Sequence, residues 1–61
     1  MTIMCYIIEN SAECAVAVRK LENTIPCFTS IDLLDDDNIE FTISCRAEDA
    51  IFVENSLAKF V

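Results

Sequence analysis

The sequence contains no glycine and no histidine, and these two absences exclude several kinds of site. A phosphate-cradling loop and an EF-hand calcium loop both require glycine. Without histidine, the chain lacks the side chain that most often transfers protons near neutral pH. The aspartates cluster in a predicted exposed turn, where they lack the desolvation that tunes a catalytic pair of carboxylates. We therefore expect a protein that is not an enzyme.

The cysteines form no C-x-x-C pair, and without histidine they do not indicate a zinc site. In the predicted elements all four lie on inward faces, where cysteine behaves as a small apolar residue. A disulfide stays open as an alternative, although a cytoplasmic setting disfavours it. We predict no metal and no cofactor. The cysteines are Cys5, Cys14, Cys27 and Cys45.

Basic residues are scarce, with 4 Lys and Arg against 11 Asp and Glu and a net charge of −7. Nucleic acid and anionic membranes need positive charge at the contact, so we expect neither as a direct ligand. A basic protein partner would explain this balance, and so would solubility alone. The N-terminal segment MTIMCYIIENS has no basic region and an apolar run about one strand long. We therefore expect neither a signal peptide nor a membrane span, and a cytoplasmic location.

Hydrophobic periodicity predicts the order strand, helix, strand, strand, helix in a single α+β domain, residues 1–61. A three-stranded antiparallel sheet with both helices packed on one face would bury every apolar stripe. This βαββα arrangement is a truncated ferredoxin-like unit without its last strand, so the first strand has an unpaired edge. The predicted strands cover 1–8, 27–34 and 39–46, and the predicted helices run from Asn10 to about Asn23 and from Ala47 to about Phe60.

Two local signals concern the first helix and the hairpin. Asn10 and Glu13 fit a capping box, with Asn10 as the N-cap and Ser11 as the alternative cap. The middle hairpin is predicted at residues 35–38. Because the chain has no glycine, we expect any left-handed turn position to fall to Asn38.

Acidic residues are concentrated around this hairpin, with no Lys or Arg between Lys20 and Arg46. Asp and Asn are ordinary turn residues, so a solvated turn is one interpretation. The amount of acid exceeds what a turn needs, which favours a negative surface that meets a basic partner. The candidate partner-binding residues are Asp32, Asp35, Asp36, Asp37 and Glu40, with Glu48, Asp49 and Glu54 on the last helix.

An apolar interface is the alternative. Met4, Tyr6 and Phe28 are expected on the outer sheet face, where nothing obvious covers them. Phe52 is expected on the last helix, opposite its core stripe. Such residues could anchor a protein-interaction module or a homodimer, with the acids as its rim.

In size, charge and fold class, the chain resembles the small acidic phage-encoded anti-CRISPR proteins of the DNA-mimic type. The hairpin acids and those of the last helix carry this resemblance, and no motif does. It implies a non-enzymatic inhibitor, found in a host cytoplasm, that occupies a basic nucleic-acid-binding surface. The implied partner is a subunit of a CRISPR effector complex of the Cascade type, which would then fail to bind target DNA.

Overall fold

The computed structural model describes residues 1–61 and has the predicted order of elements. Each helix or strand begins and ends within a few residues of its predicted limits. The last helix is a regular α-helix flanked by single turns of 3₁₀ helix at Ala47–Asp49 and Ala58–Phe60. The elements are β1 (Thr2–Glu9), α1 (Ala12–Thr24), β2 (Cys27–Leu33), β3 (Asn38–Cys45) and α2 (Ala50–Leu57).

The sheet is antiparallel with the strand order β1-β3-β2, which confirms the predicted α+β class. The central strand β3 has the clearest alternation in the sequence: its outward side chains are polar, and its inward ones are apolar and, apart from the half-buried Ile39, fully buried. β1 and β2 each pair only with β3, so each leaves one edge unpaired. Neither helix has the length and apolar composition needed to cross a bilayer.

Both helices pack on the same face of the sheet, and one apolar core lies between them and the strands. This arrangement leaves the other face of the sheet, here called the outer face, without any cover. The core contains residues from β1, α1, β3 and α2 and from the 3₁₀ turn that follows α2; they are Ile8, Cys14, Val18, Leu21, Phe41, Ile43, Cys45, Val53, Leu57 and Phe60.

Helix α1 begins at the alternative cap. The Ser11 side chain accepts a hydrogen bond from the backbone N–H of Cys14 at 3.1 Å, so Ser11 is the N-cap. Asn10 is instead tied to the hairpin, because its backbone N–H donates to the carbonyl of Asp37 at 2.8 Å. The capping box predicted for Asn10 is therefore wrong, and Glu13 forms an ion pair with Lys59 instead.

The hairpin turn does not use a left-handed residue, so that prediction for Asn38 is wrong. Asn38 is the first residue of β3. Oδ1 of Asp35 accepts hydrogen bonds from the backbone N–H groups of Asp37 and Asn38, both at 2.8 Å. An aspartate that bonds the backbone two residues ahead imitates a backbone turn, and this removes the need for a positive φ angle.

Candidate functional site

One end of the sheet carries most of the unpaired acid. Asp32 and Glu40 lie opposite each other on β2 and β3, and their side chains point to the outer face. Glu9 reaches the same end from β1, where it pairs in register with Asn38. None of the six carboxylates at this end takes part in an ion pair. We call this group the acidic end; it comprises Glu9, Asp32, Asp35, Asp36, Asp37 and Glu40.

Two of these carboxylates have a structural contact: Glu9 accepts a hydrogen bond from the hydroxyl of Ser11, the cap of α1, at 2.6 Å, and Asp35 holds the turn. The backbone N–H of Asp37 and the side chain of Asn38 hold the pKa of Asp35 below its ordinary value. A lowered pKa means that this carboxylate stabilises the turn above its unfolded pKa. The contribution is lost as the pH falls through the lower folded value. Asp36 and Asp37, by contrast, accept no hydrogen bond through their side chains, so the turn does not depend on their charge.

The structure does not bring Glu48 and Asp49 to the acidic end. They follow β3 at the opposite end of the sheet, where Nε of Arg46 bonds Oδ2 of Asp49 at 2.8 Å and approaches Glu48 at 3.4 Å. The hydrogen bond to Asp49, with the two negative charges, raises the pKa of Arg46. Because β3 has eight residues, its ends are about 23 Å apart at a rise of about 3.3 Å per residue. That separation exceeds the Debye length of about 8 Å.

Glu54 belongs to neither group. It lies on α2 near Tyr6, where its negative charge adds to burial in raising the pKa of the Tyr6 phenol. The predicted extended surface is therefore an acidic end with three further carboxylates placed elsewhere, two of them paired with a cation.

The outer face of the sheet carries different β1 residues from those predicted. Met4 and Tyr6 face the helices and pack against the core, and the Tyr6 hydroxyl donates to Sδ of Met4 at 3.4 Å. The register with β3 places Ile3, Cys5 and Ile7 outward instead. The assignment of Met4 and Tyr6 to the outer face is wrong, because β1 is apolar on both sides and its own pattern does not choose between them.

A signal for the correct face was present in the sequence. Glu9 has the same parity as Ile3, Cys5 and Ile7, so a strand that keeps Glu9 in water must turn all of them outward.

Phe28, on β2, does lie on the outer face as predicted and is 74% exposed. Ile3 and Ile7 are 72% and 56% exposed, so β1 contributes a column of apolar side chains to this face.

Phe52 does not join this surface. It is 43% exposed and lines a groove between the two helices, on the opposite side of the sheet from Phe28. The four residues of the predicted apolar interface therefore lie in three places: Met4 and Tyr6 at the core, Phe28 on the outer face and Phe52 between the helices. The other residues of the groove are Ala17, Lys20, Leu21, Thr24 and Ser56.

The cysteines differ in their surroundings, and the prediction that all four face inward is wrong for Cys5. Its side chain is exposed on the outer face, whereas Cys14 and Cys45 are buried and Cys27 is half-buried. Burial raises the pKa of the Cys14 and Cys27 thiols, with smaller contributions from nearby carboxylates. No three cysteine or acidic side chains are grouped as metal ligands.

The geometry thus defines a small α+β domain with an open sheet face, one end of which is acidic. Comparison with known proteins adds no family: no family model, no curated protein and no solved structure matches this chain.

Proposed function

We propose that this protein is a small non-enzymatic binding protein of the cytoplasm, and that its acidic end meets a basic surface of a protein partner. The observation that carries this proposal is the group of six carboxylates at one end of the sheet, none of which is neutralised by a cation of its own chain. They make up more than half of the 11 acidic residues in the sequence.

The fold itself does not require this concentration of charge. Like charges directly opposite each other in an antiparallel pair are destabilising, and Asp32 opposes Glu40 in that way. Asp35 is sufficient for the turn, and the Asp36 and Asp37 side chains bond nothing. A cationic partner surface would remove this repulsion, which gives the charges a role in binding that they lack in the free protein.

A nucleic-acid-binding surface is the kind of basic surface that we propose for the partner. Proteins that bind a nucleic-acid backbone present Lys and Arg at intervals for the phosphates. A rigid acidic protein can occupy those cations and exclude the nucleic acid. Inhibition of target-DNA binding by a CRISPR effector complex, which the anti-CRISPR resemblance implies, is the specific form of this proposal.

The test compares two variants with the same change in charge. Asp36→Asn with Asp37→Asn neutralises the acidic end and leaves Asp35 to hold the turn. Glu48→Gln with Glu54→Gln neutralises two carboxylates outside it. At about 0.2–1 kcal/mol per exposed charge pair, we expect the first variant to bind its partner about 2- to 30-fold more weakly, with a smaller salt dependence, and the second to bind normally.

The partner is obtained by capture from a host lysate at low salt and identified by mass spectrometry. Its affinity for each variant is then measured by calorimetry over a salt series, with DNA as a competitor. Equal losses for the two variants would contradict a role for the acidic end. Simultaneous binding of DNA and this protein would contradict occupation of a nucleic-acid site.

A second candidate is a protein-interaction module that uses the outer face itself, and the exposure of Phe28 and Ile3 favours it. Exposed apolar side chains that form a contiguous patch indicate a contact surface. Here Phe28→Ala should weaken partner binding strongly at all salt concentrations, since an aromatic anchor contributes through burial. Tyr6, which faces the core, is not a suitable position for this test. Unchanged binding by the Phe28 variant would remove this candidate.

A further inference from the structure

The free edge of β1 has a defined set of unpaired backbone groups. The N–H of Asn10 bonds the carbonyl of Asp37, which continues the β1–β3 register by one residue. In an antiparallel ladder the bonded residues alternate, so the even-numbered residues of β1 direct their N–H and C=O groups at β3. The odd-numbered residues direct theirs away from the sheet; they are Ile3, Cys5, Ile7 and Glu9.

The β2–β3 ladder supports this assignment independently. There the N–H of Leu34 bonds the carbonyl of Asn38. The even-numbered residues of β3 therefore bond β2, and its odd-numbered residues are left for β1, as the Asn10 bond requires.

The two edges of the sheet differ in protection. Native proteins block an open edge with Lys, Pro, a bulge or an inward charge. β1 has none of these, since its register with β3 is continuous through all eight residues and Glu9, at its end, carries its only side-chain charge. On the β2 side, α1 lies close and Glu22 accepts a hydrogen bond from Thr29, while Asp32 adds a second carboxylate. β1 is therefore the edge that is open to another strand.

We propose that two copies of this protein pair through β1, antiparallel about a two-fold axis at Cys5, to form a continuous six-stranded sheet. This inference is independent of the charge-based function. In this register Ile3 opposes Ile7 of the second copy, and Cys5 opposes itself. Each of these pairs exchanges two backbone hydrogen bonds, and every unpaired group of the three residues is satisfied.

Two considerations favour a second copy as the occupant of this edge. The apolar side chains of the outer face match themselves about Cys5, since Ile3 meets Ile7 and Cys5 meets Cys5, while Glu9 meets only Met1, which precedes β1. An axis at Tyr6 would place Glu9 against Ile3, and an axis at Met4 would shorten the overlap. Antiparallel pairing also places the two acidic ends at opposite ends of the joined strands, about a strand length apart, well beyond the Debye length of about 8 Å.

The first test uses the unmodified chain. Sedimentation over a concentration series is expected to show a particle of twice the 6.9 kDa chain mass. The backbone amides of Ile3, Cys5 and Ile7 should exchange slowly with solvent at high concentration and faster on dilution, because only the second copy bonds them. A monomer at every concentration, or rapid exchange of these amides in a dimer, would overturn the proposal.

The second test traps the register. Cα atoms of a bonded antiparallel pair are about 5.5 Å apart, within the range of about 4.4–6.8 Å that a disulfide spans. Diamide takes two electrons and two protons from a pair of Cys5 thiols and becomes the hydrazine, which leaves a covalent dimer. Cys5→Ser should dimerise without this cross-link. In that background, Ile3→Cys mixed with Ile7→Cys should cross-link, and neither should do so alone.

A matched pair of lysine variants tests the edge. Ile7→Lys places a charge beside the joining strands and is expected to abolish the dimer, whereas Thr42→Lys adds the same charge at the centre of the same face and is expected to retain it. Loss of the dimer in both, or in neither, would overturn pairing through β1. Circular dichroism of each variant used in these tests establishes that it folds.

Discussion

Replacing Phe41 by alanine is expected to unfold the protein at room temperature. Phe41 lies on the central strand with none of its surface exposed, and it is among the largest of the fully buried side chains. Truncating a buried phenylalanine costs about 3–5 kcal/mol, from lost burial and the cavity that remains. A domain of this size has only about 3–5 kcal/mol of net stability. The expected cost of the substitution is therefore about equal to the whole net stability of the domain.

Circular dichroism and urea titration measure this effect, and Phe28 provides the matched control. Phe28 is also a strand phenylalanine, but it lies on the outer face and is 74% exposed. Phe28→Ala should change the free energy of unfolding by no more than about 0.5 kcal/mol. If Phe41→Ala kept a urea midpoint close to that of the unmodified chain, the described core would be wrong.

The thiols are expected to react with a maleimide in a fixed order, with Cys5 first. Cys5 is exposed, whereas Cys14 and Cys45 are buried. A buried thiol reacts only when the structure opens. At a stability of about 3–5 kcal/mol, this need for opening makes a buried thiol react on the order of a hundredfold or more slowly than an exposed one. For Cys14 and Cys27 the raised pKa also lowers the fraction of reactive thiolate.

Peptide mapping by mass spectrometry after a short pulse of reagent identifies which thiol reacts. Cys5→Ser should remove the fast phase and leave the slower ones unchanged, and urea should make all four thiols react together. Equal rates for Cys5 and Cys45 in the native protein would contradict the structure, which exposes Cys5 on the outer face and buries Cys45 in the core.

The sequence was sufficient to predict the fold class because its clearest signals are local. In β3, apolar and polar residues alternate through Phe41, Thr42 and Ile43, which defines both a strand and its buried face. Pro26 disfavours helical geometry at Ile25, and α1 ends at Thr24 as this predicts. The acidic turn was also visible in the sequence, although the role of Asp35 in replacing a left-handed residue depends on its side-chain geometry.

The candidate surfaces were less predictable, because they depend on which elements end at the same place. Glu48 and Asp49 are close to the hairpin acids in sequence, yet an extended strand carries them to the opposite end of the sheet, beside Arg46. Phe28 and Phe52 both lack a place in the core pattern, but the sheet lies between them. Sequence distance does not contain this information.

The sequence by itself determined the order of elements, the buried face of β3 and the excess of acid. The tertiary structure decided the face of β1, because that strand is apolar on both sides and the sequence offers only the parity of Glu9, at its very end, to choose between them. Pairing with β3 removes the ambiguity: a shift by one residue would exchange Ile8 for Ile7 in the core and expose the other set. The same pairing decides which backbone groups of β1 remain free.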